Sequence, residues 1–217
     1  MRLTCSSRSG TMNSMIAKFN FGRLLNPPFT WRASALALLL VFRVSAADAQ
    51  DKSPQMNPHQ SPGAFQLTSP EFENGGFIPQ RFTCDGVNIS PLLAWTHPPA
   101  AVQSFTLILD DPDAPSGTFV HWLVYNLPRE ASGMPDNVPI AQPIMENGAL
   151  QGENDFHHIG YNGPCPPRGK VHRYIFHLYA LDTQLTLKPG AKRDALDRMM
   201  GGHILATAEL MGRYQRP

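Results

Sequence analysis

No stretch of this chain stays apolar over the roughly 18 residues that a membrane-spanning helix needs. The longest run, ASALALLLVF at 33–42, stops after ten residues. Charge of one sign is also scarce, since only 16% of residues are charged and the formal net charge is +1. Residues 1–49 carry six Lys/Arg and one Asp, which leaves 12 basic and 16 acidic residues in the remainder, a net of −4. That remainder has no nucleic-acid footprint. Local catalytic signatures are missing too. There is no HExxH to mark a zinc helix and no G-x-S-x-G to mark a serine elbow. Neither an internal repeat nor a heptad pattern is visible. Cysteine is rare, and Cys84 and Cys165 are the only two beyond Cys5.

What is abundant is proline (21) and glycine (17), which favours a β-rich, loop-heavy fold over a helical one. At 217 residues the chain suits one domain with appendages. Residues 1–49 read as an export signal: Arg23 and Arg32 flank the apolar run, and Ala47-Asp48-Ala49 suits cleavage before Gln50. A plain tail with an apolar patch, or an uncleaved anchor, is the alternative. Residues 50–64 form a polar, Pro-rich linker, and the folded domain spans 65–217. Export places the protein in the periplasm or outside the cell. There an even pair of cysteines points to a disulfide, whereas in the cytosol both would remain thiols.

Short strands joined by Pro/Gly turns are expected at 65–68, 78–82, 92–96, 107–109, 120–126, 171–181 and 205–214, with a helix at 194–200. Alternation predicts that Val120, Trp122 and Val124 share one face of their strand, and His121, Leu123 and Tyr125 the other. His172, Tyr174, Phe176 and Leu178 share a face, opposite Arg173, Ile175, His177 and Tyr179. The segment 129–154, broken by Pro135, Pro139 and Pro143, is a long functional or poorly ordered loop.

The stretch 107–128, LILDDPDAPSGTFVHWLVYNLP, concentrates chemistry. An acidic turn restricted by Pro112 and Pro115 lies beside His121. Three arrangements use these residues. Asp111, Asp113, His121 and His172 supply oxygen and imidazole ligands for a metal. Cys165 with His172 makes a thiol nucleophile and its base, although export favours a paired cysteine. Finally, His121, His172 and Tyr174 can donate hydrogen bonds to an anion, with backbone N–H groups of the turn at 163–165 as a nest and Arg168, Lys170 and Arg173 around it. For each residue alone, turn or core chemistry is the plainer explanation.

Six motifs now fall in order: CDGVNISP at 84–91, DPDAP at 111–115, HW at 121–122, QGENDF at 151–156, GPCPP at 163–167 and HRYIFHLYAL at 172–181. Together they resemble the phosphatidylethanolamine-binding protein family, and in particular its bacterial, Raf-kinase-inhibitor-like branch. The resemblance implies a mainly β fold of two antiparallel-rich sheets with few short helices. It also implies a small cavity for phosphate, phosphoethanolamine headgroups or similar anions, with no metal, no cofactor and no catalysis. By motif the cavity residues are Asp111, His121, Gly163, Pro166, Pro167, His172 and Tyr174, supported by Asp113 and Trp122. In such a fold the loops of Cys84 and Cys165 meet at the cavity rim, where they can bond. The expected partner is a small anionic ligand or phospholipid headgroup, with no nucleic acid and no transmembrane segment after processing. The alternative is a regulator acting by protein–protein contact, such as a protease or kinase-pathway inhibitor, through an exposed loop at 129–149. A homodimer is compatible with either.

Overall fold

The strongest alternating stretches become neighbouring strands of one sheet. The computed structural model describes residues 63–217, so the export signal at 1–49 and nearly all of the linker at 50–64 lie outside the described residues. Along the chain the strands are β1 (Gln66–Thr68), β2 (Leu93–Thr96), β3 (Ser104–Asp111), β4 (Phe119–Pro128), β5 (Gly133–Met134), β6 (Leu150–Gln151), β7 (His172–Leu181) and β8 (Ile204–Tyr214), with helix α1 (Arg193–Met200) before β8. They form a three-stranded sheet, β1-β2-β5, and a five-stranded sheet, β6-β4-β3-β7-β8. Every strand pairing is antiparallel.

β3 is buried along its whole length because both faces of the large sheet are covered. On one face Leu107, Leu109, Trp122, Tyr174 and Phe176 pack with Leu93 and Trp95 of the small sheet. On the other, Ile108, Val120, Leu123 and Tyr125 pack with Leu196 and Met200 of α1. These two helix residues, four positions apart, lie on one side of α1. Among the described residues no helix is long and apolar enough to cross a membrane.

Two expectations change. The segment 78–82 is not a strand. Pro79 starts a 3₁₀ turn over Gln80–Phe82, because its ring presets φ near −58° and its carbonyl accepts the Phe82 N–H. Simple alternation also fails in β4. Trp122 stands opposite Leu109 and Val120 opposite Asp110, so His121 is an extra residue in a β-bulge. Trp122 therefore shares a core with Tyr174, while Val120 joins the core under α1. His121 leaves the Leu123–Tyr125 side and meets Tyr174 edge-on at 5.2 Å.

The loop after β4 is tied down. Gln151 donates from its amide to the carbonyls of Pro139 and Gln142 at 2.9 and 2.8 Å. Ile140 and Ile144 of this loop remain exposed.

Candidate functional site

The alternation of β3 sends two neighbouring aspartates to opposite faces of the large sheet. Asp111 follows Leu107 and Leu109 toward the inter-sheet core, and β7 begins beside it with His172. The His172 Nδ1 and the Asp111 Oδ2 are 2.8 Å apart, and both side chains are buried. A carboxylate accepts, so Nδ1 carries the proton and Nε2 is the ring nitrogen left for a ligand. The other carboxylate oxygen, Oδ1, accepts the Asp113 N–H at 2.8 Å, a turn that Pro112 presets.

The bulge delivers the second imidazole. His121 Nδ1 lies 2.8 Å from the Asn162 carbonyl oxygen. A carbonyl only accepts, so this nitrogen too carries a proton and Nε2 remains. Burial lowers the His121 pKa below its ordinary 6.5, against the opposing pull of the Asn162 hydrogen bond and the Asp111 charge. The ring is boxed edge-on by Phe119 at 5.5 Å, Phe156 at 5.2 Å and Tyr174 at 5.2 Å.

Asp111, His121 and His172 line one cavity of about 260 Å³. Phe119, Phe156 and the Pro166–Pro167 pair contribute apolar wall, and Cys165 borders it. Cys165 is bonded to Cys84, with Cα atoms 5.4 Å apart.

Other expected residues lie elsewhere. Tyr174 is fully buried behind His121, and its hydroxyl has no hydrogen-bond partner among the described residues. Burial, then the Asp111 charge, raises its pKa, so it keeps its proton. Trp122 is further back, donating Nε1–H to Gln151 at 2.8 Å and packing on Tyr161. Asp113 turns outward into a two-pronged pair with Arg173. The Arg173 hydrogen bond is the main reason that its pKa falls to about 2. Asp113 therefore does not join Asp111 and the histidines as a ligand. Among the described residues no three His, Cys, Asp or Glu side chains are grouped to hold a metal.

The backbone nest expected at 163–165 is largely spent. The Gly163 N–H donates to Asn88 Oδ1 at 2.8 Å, and Pro164 has no N–H. Gly163 serves close approach instead, since a Cβ there would sit 2.1 Å from the Phe82 carbonyl oxygen.

Sequence reasoning overlooked the support of His121. Asn154, 2% exposed, donates from Nδ2 to the His121 carbonyl, the Gly160 carbonyl and the Asn162 side chain. Its Oδ1 accepts the N–H groups of Phe156 and His158. One amide thus fixes the bulged strand, the Phe156 wall and the residue that sets the His121 tautomer. The signal was the QGENDF motif, where an asparagine in a loop reads first as a turn former.

Known proteins agree with this architecture. Residues 68–215 match the family model described as phosphatidylethanolamine-binding protein. A UPF0098 protein of Methanothermobacter thermautotrophicus is 49% identical over 152 residues, covering 70% of this chain and 99% of that protein. A UPF0098 protein of Aquifex aeolicus is 46% identical over 154 residues, covering 70% and 89%. Among solved structures, a phosphatidylethanolamine-binding protein homologue from Chlamydia trachomatis superposes with a TM-score of 0.65 at 42% identity, covering 72% of this chain and all of that one. E. coli YbcL, described as a member of the mammalian family, gives 0.66 at 33% identity, covering 70% and 99%. The chain belongs to the phosphatidylethanolamine-binding protein family.

Proposed function

We propose that this member of the phosphatidylethanolamine-binding protein family is an exported, non-catalytic binding protein whose cavity takes a small tetrahedral anion, free or as a phospholipid headgroup. The observation that carries the reading is the pair of buried imidazoles on one cavity, each with Nδ1 committed to a protein oxygen and Nε2 uncommitted. His172, its ring oriented by Asp111, leaves Nε2 to hydrogen-bond a phosphate oxygen in the cavity. The same pairing offsets the Asp111 charge, which would otherwise repel the ligand. His121 can accept from a protonated phosphate oxygen, or donate once it takes up a proton. The aromatic and proline walls exclude water and so strengthen these bonds. Cys165, the thiol nearest the cavity, is spent in its disulfide, which supports binding over nucleophilic chemistry and fits an oxidising compartment.

Calorimetric titration with inorganic phosphate tests the pocket. A hydrogen bond to a charged group is worth roughly 1.5–3 kcal/mol, so His172→Ala should weaken phosphate by about tenfold to a hundredfold. His177→Ala, on the opposite face, should not. Changing Asp111 to Asn within the His172→Ala background should restore part of the loss, because it removes the exposed like charge. Equal affinity in the parent and His172→Ala would remove the pocket assignment. Export is tested separately: the N-terminus of the protein from its native cell should lie near Gln50, and an intact Met1, Met12 or Met15 would contradict it.

A further inference from the structure

The cavity lined by Asp111, His121 and His172 is short of hydrogen-bond donors. Of its eleven lining residues three, Pro115, Pro166 and Pro167, have no N–H, and no Lys or Arg is among them. The Cys165 thiol is lost to the disulfide. Neighbouring N–H groups are already committed. Asp113 donates to Asp111 Oδ1, Phe156 to Asn154 Oδ1, Asn162 to the His121 carbonyl and Gly163 to Asn88. Ser116, exposed, has the one hydroxyl among the lining side chains. The cations nearby in sequence are engaged elsewhere: Asp113 holds Arg173, and Arg168 donates to the Pro217 oxygen.

Acceptors, by contrast, face this space. Asp111 puts a carboxylate in the wall. His121 keeps its proton on Nδ1, against the Asn162 carbonyl at 2.8 Å. The ring is 3% exposed and enclosed by Phe119, Phe156 and Tyr174. Burial there disfavours a second proton and lowers the pKa, so Nε2 of the neutral ring presents a lone pair. Asn154 locks the arrangement, because one amide bonds both the His121 carbonyl and the Asn162 side chain.

A fully ionised oxyanion matches such a wall poorly. All its oxygens are acceptors, so one of them meets the Nε2 lone pair with no proton between them. Its charge also meets the Asp111 carboxylate with no Lys or Arg in the wall. An oxyanion that brings its own proton removes the first conflict, since its O–H donates to Nε2. A site built around such a hydrogen bond rejects close analogues that lack the hydrogen, because its own polar group is then left unpaired.

We infer that the cavity selects an oxyanion that still carries a proton, hydrogen phosphate, over sulfate and over phosphodiesters, with His121 Nε2 as the acceptor that reads the proton. This rests on the phosphate-pocket reading and narrows it to free phosphate, because a diester headgroup has no P–O–H. The parent and His121→Gln, both as full chains, are titrated calorimetrically at about pH 8 with inorganic phosphate, sulfate, methyl phosphate and dimethyl phosphate. Phosphate is then chiefly the hydrogen phosphate dianion, equal in charge to sulfate and close to it in size, and the two differ by one proton. Methyl phosphate, doubly ionised above about pH 6, and dimethyl phosphate carry no such proton and stand for a phosphomonoester and a lipid headgroup. Phosphate should bind the parent about tenfold to a hundredfold more tightly than each of the other three. The amide of His121→Gln can turn either its oxygen or its N–H to the anion, so the phosphate-to-sulfate ratio should fall to within about threefold. The ratio is taken within one protein, so general weakening does not imitate the effect, and the four-anion comparison in the parent decides alone if the variant does not fold. Sulfate or dimethyl phosphate within about twofold of phosphate in the parent, or an unchanged ratio in His121→Gln, overturns the selection and leaves the pocket standing. Phosphate that does not bind the parent removes the pocket and the selection together.

Discussion

Two aspartate–histidine pairs stand back to back across the same sheet. Asp111 meets His172 on the inter-sheet side, and its neighbour Asp110 meets His177 on the helix side, 3.4 Å from Nε2. The residue types and strands are the same, yet the surroundings differ. Asp110 also takes Arg193 of α1 at 2.9 Å, Arg193 takes Asp197, and His177 reaches Glu209. Every charge there has a partner within the protein, and both His177 ring nitrogens face carboxylates. The hydrogen bonds of His177 and Arg193 outweigh burial and lower the Asp110 pKa. The front pair instead leaves an imidazole nitrogen over an apolar-walled cavity. The closed ion cluster clasps α1 to the sheet, and the incomplete pair is the one to which the proposed anion is assigned.

The largest effect that distinguishes them is on stability. Asp110→Ala removes the carboxylate on which Arg193 and His177 converge, with only 6% of its side chain exposed. Breaking a buried pair of this kind costs about 3 kcal/mol. Urea unfolding should show that loss, while phosphate affinity stays within about twofold, a margin of a few tenths of a kcal/mol. If Asp110→Ala cost no stability, or abolished phosphate binding, the division into clasp and site would be wrong.

This division was partly legible in the sequence. Parity alone sends Asp110 and Asp111 apart, and the ten-residue alternation of β7 does the same for His172 and His177. An antiparallel sandwich or barrel followed from short apolar runs between Pro/Gly turns, and the choice of two sheets came from the family resemblance. His121 was harder. A bulge marked by neither Gly nor Pro leaves no sequence signal, and strict alternation puts this ring on the face of Leu123 and Tyr125. Asn154 was hidden for a different reason: of its five hydrogen bonds four stay within the segment 156–162, but the one that reaches the site goes to the His121 carbonyl, 33 residues away. Likewise, nothing in GPCPP reveals that the Gly163 N–H is already taken by Asn88.

The smaller effect is proton linkage, where front and back should have opposite signs. His177 is held above its ordinary 6.5, since the Asp110 hydrogen bond and charge overcome burial. Its stabilisation is complete below pH 6.5 and is lost as pH rises through the folded value. His121 is held below 6.5 by burial, so just under that pH the unfolded chain binds more protons than the folded one. Its contribution is therefore complete above 6.5 and is lost as pH falls toward the folded value. In the parent the two effects lie on opposite sides of pH 6.5. His177→Gln should remove the gain in stability on acidification from above 6.5, and leave the loss below 6.5 in place. Ligand binding should reverse the His121 trend, because an anion near Nε2 favours the protonated ring. Sulfate keeps a constant charge across this window, so its titration reports the protein alone. Sulfate affinity should rise as pH falls, and His121→Asn should flatten that dependence. A flat sulfate profile in the parent would mean that His121 does not face the anion, leaving His172 as the sole imidazole donor of the cavity.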